Sequence, residues 1–234
     1  MRLNVLALAD KASPVLEQFL KKPRAERETF DLALSCGDLD RDYLDFVATT
    51  VGCQFYYVNG NHQVLTPRHT EPLVAPDETP VTEPGLNLHG EVVQHGDFLL
   101  CGFEGVPSED RTPGHIPERV MARAVARVER RLMRLRTWHR LTGRRPASVI
   151  VVSHTPPADI HDDDGFYPGY LCFRGFIERV QPRLWLHGHA HLQGLNQIQR
   201  LDLGETTIVN TYEFKCLRLT DYGVDVDYRL SERR

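Results

Sequence analysis

Five short apolar runs in this chain stop abruptly at a side chain able to bind a cation or carry a proton. LNVLALA ends at Asp10, LALSCG at Asp38, FYYVNG at Asn61 and His62, VIVVS at His154, and LWLHG at His189, with His191 two residues on. Short runs that are apolar at nearly every position suit strands covered on both faces. Helical patterns lie between the early runs. Val15, Leu16, Phe19 and Leu20 follow Ser13-Pro14, expected as an N-cap and first helical residue, and Tyr43–Val51 follows Asp40. Strand–helix–strand order predicts right-handed βαβ units and a largely parallel core sheet. In such sheets, functional groups gather in the crevice at the carboxyl ends of the strands. Five strands therefore deliver Asp, Asn or His to one edge.

The predicted strands are Leu3–Ala9, Asp31–Ser35, Phe55–Val58, Phe98–Gly102, Val149–Ser153 and Leu184–Leu186. Residues 66–84 hold five prolines and read as a loop. A long helix is expected from Pro117 to Leu141. Met121, Val125, Val128, Leu132 and Leu135 form its core face, and Arg119, Arg123, Arg127, Arg130 and Arg134 a solvated stripe. After Gly194, TTIVN, CLRLT and VDVDYRL predict antiparallel strands with turns at Asp202–Glu205 and Asp221–Gly223. No repeat divides the 234 residues, so one domain over 1–234 is expected.

Composition excludes more than it proposes. A net charge of −4 gives no strong pull toward nucleic acid or membrane. No apolar run approaches the roughly 20 residues of a membrane span. The N-terminal MRLNVLALA imitates a secretion signal but is read as a buried first strand. Cys36, Cys53, Cys101, Cys172 and Cys216 are odd in number and lack any CxxC pair, which argues against a disulfide framework and for a reducing cytoplasm.

The strand-end set is two carboxylates, one carboxamide and several imidazoles, without thiolate. Such donors suit Mn²⁺, Fe or Zn²⁺ and argue against a structural zinc. His189 and His191, at i and i+2, can face one side of an extended segment, and Gly188 lets the backbone come close. With Asp38 as a bridge, two ions roughly 3.5–4 Å apart can clamp an in-line phosphoryl displacement.

The pattern D…GD…GNH…H…GHxH, from Asp10 to His191, resembles the calcineurin-like metallophosphoesterase superfamily, and its small single-domain members in particular. The resemblance implies a four-layer α/β fold, two mixed β-sheets packed as a sandwich flanked by helices, with a dinuclear metal site at one edge. Asp38 would bridge the ions. Asp10 and His191 would serve the first metal, and Asn61, His154 and His189 the second. His62 would assist the leaving group as a metal-activated hydroxide attacks phosphorus. The implied function is a metal-dependent phosphoesterase, a phosphodiesterase before a monoesterase. Its partner would be a small phosphate ester, with nucleic acid only as a substrate and no membrane.

Two positions depart from the family pattern. Ala12 stands where the first motif carries a histidine, and Gln63 where an acidic residue usually follows GNH. The first site then keeps three protein ligands, which predicts a weaker, more hydrated ion there and favours Mn²⁺ or Fe²⁺ over Zn²⁺. It also raises an alternative, a degenerate member serving as a binding or scaffold module. Arg174, Tyr170 and Tyr167, in the segment between His154 and the last motif where such folds present substrate loops, and His187, beside that motif, are expected to contact substrate. DIHDDDGFYPGY reads equally as a lid over a phosphate or as a turn-rich surface loop.

Overall fold

The computed structural model describes residues 2–62, 85–110, 112–144, 147–161, 167–191 and 199–227. The chain begins β1 (Arg2–Ala9), α1 (Pro14–Lys21), β2 (Leu32–Ser35), α2 (Arg41–Val51) and β3 (Gln54–Tyr57). Then come β4 (Leu86–Asn87), β5 (Val92–His95), β6 (Phe98–Phe103), the two-residue strands β7 (Val106–Pro107) and β8 (His115–Ile116), and α3 (Glu118–Leu141). It continues with β9 (Ser148–Ser153), α4 (Leu171–Val180), β10 (Leu184–His187) and β11 (Arg200–Leu203). The last strands are β12 (Thr206–Asn210), β13 (Glu213–Thr220) and β14 (Val224–Asp227).

Two six-stranded mixed sheets result, as the family resemblance implies, where strand–helix order alone predicts a largely parallel core sheet. Their orders are β14-β13-β1-β2-β3-β4 and β11-β12-β10-β9-β6-β5. Each is parallel at its centre, with antiparallel strands β13 and β14 at one margin of the first and β11 and β5 at the margins of the second. Strand alternation builds the layers. Val5, Ala7 and Ala9 of β1 face inward, joining Leu100, Ile150, Val152, Leu186 and Leu217 between the sheets. Leu6 and Leu8 face outward, against Leu16, Phe19, Leu44 and Val47 of α1 and α2. The outer face of the second sheet packs Phe103 and Trp185 against Val125, Val128 and Leu132 of α3 and Phe173 and Phe176 of α4. The order is helices, sheet, sheet, helices.

The long helix buries Met121, Ala124, Val125, Val128 and Leu132, and its five stripe arginines lie on the opposite side, toward solvent. Ser13 precedes α1, with Pro14 opening the helix, yet its side chain makes no cap bond. The C-terminal segments differ from the expected antiparallel run. β12 pairs parallel with β10, and the chain then crosses at Thr211–Tyr212 into the other sheet, where β13 pairs antiparallel with β1. α4 is a further difference: a segment read as a substrate loop is helical from Leu171, because Phe173, Phe176, Ile177 and Val180 supply an apolar face.

Candidate metal centre

Parallel strands of both sheets end at one edge. Asp10 directly follows β1, Asp38 follows β2, Asn61 and His62 follow β3, His154 directly follows β9, and His189 follows β10. Bonds between these loops lock the edges together. The Asp10 amide donates to Gly37 O (3.0 Å), and the Gly188 amide donates to His154 O (2.9 Å). The His189 amide donates to both carboxylate oxygens of Asp10 (3.0 and 3.1 Å). The His62 amide donates to Asp38 Oδ1 (2.9 Å).

Three of these residues sit in the left-handed backbone region: Asp10 at φ 65°, Asp38 at φ 55° and His189 at φ 63°. Non-glycine residues there carry strain of order 1 kcal/mol or more, retained where the surroundings over-determine the conformation. The glycines of GNH and GHAH have a separate reason, close approach. A Cβ on Gly60 would lie 1.9 Å from Asp38 Oδ1, and one on Gly188 2.8 Å from Asp10 Oδ2. The carboxylates occupy space that only glycine leaves open.

The chemical character follows from where lone pairs point. His154 is fully buried, and its Nδ1 lies 2.8 Å from Cys36 O. A carbonyl only accepts, so the ring proton sits on Nδ1 and Nε2 turns inward. There it meets Asn61 Oδ1 at 3.0 Å and Asp38 Oδ2 at 3.2 Å. Neutral His154 would thus aim a lone pair at an anionic oxygen, an arrangement that needs a cation. A proton on Nε2 supplies one: burial opposes the charge, but the bond to Asp38 outweighs it and lifts His154 above its ordinary range. A divalent ion fits the same donors, with the Nδ1 bond fixing the tautomer that metal ligation requires.

The two carboxylates differ. Burial pushes Asp10 up, against the pull of His154 and the His189 amide, and the charge of Asp38 adds to the rise. Asp38 is also penalised by burial, but the hydrogen bond and charge of His154 hold it below the usual carboxylate range. Burial and the charge of His154 push His189 down to about 3, so its ring is neutral at physiological pH. Asp10, Asp38 and His154 present ligand atoms within 4.8 Å of one another, a group able to hold an ion. His191 is more open, 43% exposed, with Nε2 3.9 Å from Asp10 Oδ1. Ala12 is exposed and brings no donor.

An aromatic rim flanks the histidines. Tyr167 stands edge-on to His189 (5.1 Å between ring centroids) and tilted against His191 (5.8 Å), and Tyr212 lies 5.3 Å from His191. Sequence reasoning missed Tyr212. The available signal was the end of TTIVN, one more strand running to the same edge.

Of the residues expected to contact substrate, two are buried and a third makes a contact within the fold. Tyr170 is completely buried among Phe103, Phe173 and Phe176, and its hydroxyl donates to Ile116 O (2.8 Å). Arg174 lies on α4 and donates to Ala158 O (3.3 Å), bracing the chain before the helix. His187 is fully buried, its Nε2 2.7 Å from His161 Nδ1 and its Nδ1 2.9 Å from Gly188 O. Its place on β10 accounts for this: it alternates with Leu186 and so shares the helix-covered face with Trp185, whereas His189 has already left the strand. Gln63, residues 66–84 and residues 162–166 of DIHDDDGFYPGY lie outside the described residues.

The chain is similar in fold to solved structures and matches a family model over most of its length. Its fold resembles the crystal structure of TT1561 of Thermus thermophilus, at 17% identity and TM-score 0.61, covering 97% of this chain and 99% of that one. It also resembles GAP50, the anchor in the inner membrane complex of Plasmodium, at 11% identity and TM-score 0.57, covering 99% of this chain and 84% of that one. No curated protein sequence matches it significantly. A family model described as calcineurin-like phosphoesterase matches residues 9–193, from the strand end that carries Asp10 to just past His191, and the chain belongs to that family.

Proposed function

We propose that this protein is a metal-dependent phosphodiesterase acting on small phosphodiesters or nucleotides. The observation that carries the reading is the convergence of Asp38 Oδ2 and Asn61 Oδ1 on His154 Nε2, at 3.2 and 3.0 Å, acceptors that require a cation among them. Asn61, His154 and His189 would hold one ion, Asp10 and His191 the other, and Asp38 both. Divalent ions bound there supply Lewis acidity and a nucleophile available near neutral pH.

The chain's own residues do the rest. The His189 amide holds both oxygens of Asp10, and the His62 amide holds Asp38 Oδ1, so the carboxylates are oriented before substrate arrives. His62 is exposed beside Asp38 and donates a proton to the departing ester oxygen as its bond to phosphorus breaks. His62 and His191 are both exposed, and an accessible edge supports a diester over a monoester. Oxygen-rich donors, with Ala12 removing one imidazole, favour Mn²⁺ or Fe²⁺ over Zn²⁺. All five cysteines are unpaired, which supports action in a reducing cytoplasm.

Ala12, with Gln63, is what favours the alternative, a binding module that keeps the fold without catalysis. Asn61, His154, His189 and His62 all remain, which weighs against it. Mn²⁺-loaded protein is expected to hydrolyse bis-p-nitrophenyl phosphate, with Asp38→Asn and His189→Ala each lowering the rate by at least about a hundredfold. No turnover by loaded protein, or unchanged turnover in both variants, refutes the enzyme reading.

A further inference from the structure

The face of the sandwich opposite the metal centre carries a cavity of about 340 Å³. Arg136 and Arg140 from the end of α3 line it, with Ser148 at the start of β9, Gln181 at the end of α4, Arg183 ahead of β10, and Glu205. Three guanidinium groups face one carboxylate. The strand β9 spans from this cavity to His154, six steps of about 3.3 Å each from Ser148, so the two sites lie roughly 20 Å apart. One small ligand cannot touch both.

The arginines are incompletely used. Arg136 donates one bond to Val180 O (2.8 Å), capping α4, and Arg183 one to Thr220 O (2.6 Å). Each guanidinium has five N–H donors in a fork suited to phosphate oxygens. Arg136 Nε is shielded from solvent and meets no acceptor among the described residues. Among those residues none of the three arginines is ion-paired, and no side-chain bond is made by Arg140 or by the Glu205 carboxylate. Burial and the nearby charge of Arg140 make Arg136 harder to keep protonated, a penalty that an anion would relieve.

We infer that this cavity binds a compact dianion, inorganic phosphate or the phosphate group of a small phosphomonoester, held by Arg136, Arg140 and Arg183. Packing alone does not account for the arrangement, since two backbone caps need neither Arg140 nor a buried, unmatched Nε. Charge-assisted bonds to a dianion satisfy both. The site stands apart from the catalytic reading and is occupied with or without metal.

The test is calorimetric titration of orthophosphate, and separately of glycerol 3-phosphate, into full-length Asp38→Asn protein stripped of metal by chelation. Saturable binding is expected, weakened about tenfold or more by Arg140→Glu and by Arg183→Gln, each loss amounting to one charge-assisted contact. Arg140 is exposed, so its variant keeps the fold even where Arg183→Gln does not. Tighter binding of glycerol 3-phosphate identifies a phosphomonoester as the ligand, and equal or weaker binding identifies phosphate itself. Absence of saturable binding, or binding that Arg140→Glu leaves unchanged, overturns the proposal.

Discussion

Replacing Gly60 by alanine puts a methyl carbon where Asp38 keeps its carboxylate. The new Cβ falls 1.9 Å from Asp38 Oδ1, 2.4 Å from Cγ and 2.9 Å from the backbone nitrogen. A carbon–oxygen contact needs about 3.3 Å, so the oxygen must retreat by roughly 1.4 Å. Metal–ligand distances tolerate only about ±0.2 Å. The retreat also breaks the bond from the His62 amide (2.9 Å) and disturbs the 3.2 Å contact with His154 Nε2. Loss of a hydrogen bond to a charged group alone amounts to about 1.5–3 kcal/mol. Metal affinity is therefore expected to fall about 10–100-fold or more, the factor that loss of a supporting contact brings. Mn²⁺ titration by calorimetry reads this directly, and circular dichroism checks that the fold survives. Gly223→Ala is the control, because nothing lies within 4 Å of its added Cβ. A folded Gly60→Ala protein that binds Mn²⁺ as wild type does would show that Asp38 is no ligand.

Tyr170→Phe should cost about 1 kcal/mol, read as a lower midpoint in urea, because Ile116 O loses its donor, while KM stays unchanged because the ring is remote from substrate. Lys215 is buried with its ammonium on Tyr212 O and Phe214 O, and burial pushes its pKa down to about 8. The unfolded chain holds that proton up to about 10.4, so the Lys215 contribution to stability should rise between about pH 8 and 10.4, by about 3 kcal/mol at most, against the opposite trend of the five thiols, whose pKa values burial raises. Lys215→Met should flatten that rise in urea melts, and an equal slope in both proteins would contradict the assignment. Chelation should lower the thermal midpoint, with excess Mn²⁺ restoring it in wild type and much less in Asp38→Asn.

Much of the site was readable because β-strands are short and straight. A donor one residue past an apolar run, as Asp10 and His154 are, must emerge at the sheet edge, whatever the rest of the fold does. The same logic failed where periodicity was confused with composition. DIHDDDGFYPGY looks like a loop, yet its last residue, Tyr170, enters the core because α4 begins immediately after it. His187 and His189 share a spacing that would place both on one face of a continuous strand. Here β10 ends at His187, and the left-handed turn at His189 sends the two rings apart.

From residue order alone came the strand ends, the donors they deliver, the helical patterning of α3 and the glycines that flank the ligands, since these depend on local periodicity and side-chain chemistry. The division into two sheets, the crossing at Thr211–Tyr212 that joins them, the inward turn of His154 Nε2 and the gathering of three arginines at the far face were decided by tertiary structure. Each depends on segments far apart in the chain meeting across a packed interface, and no local pattern encodes which partner a strand edge or a guanidinium will find.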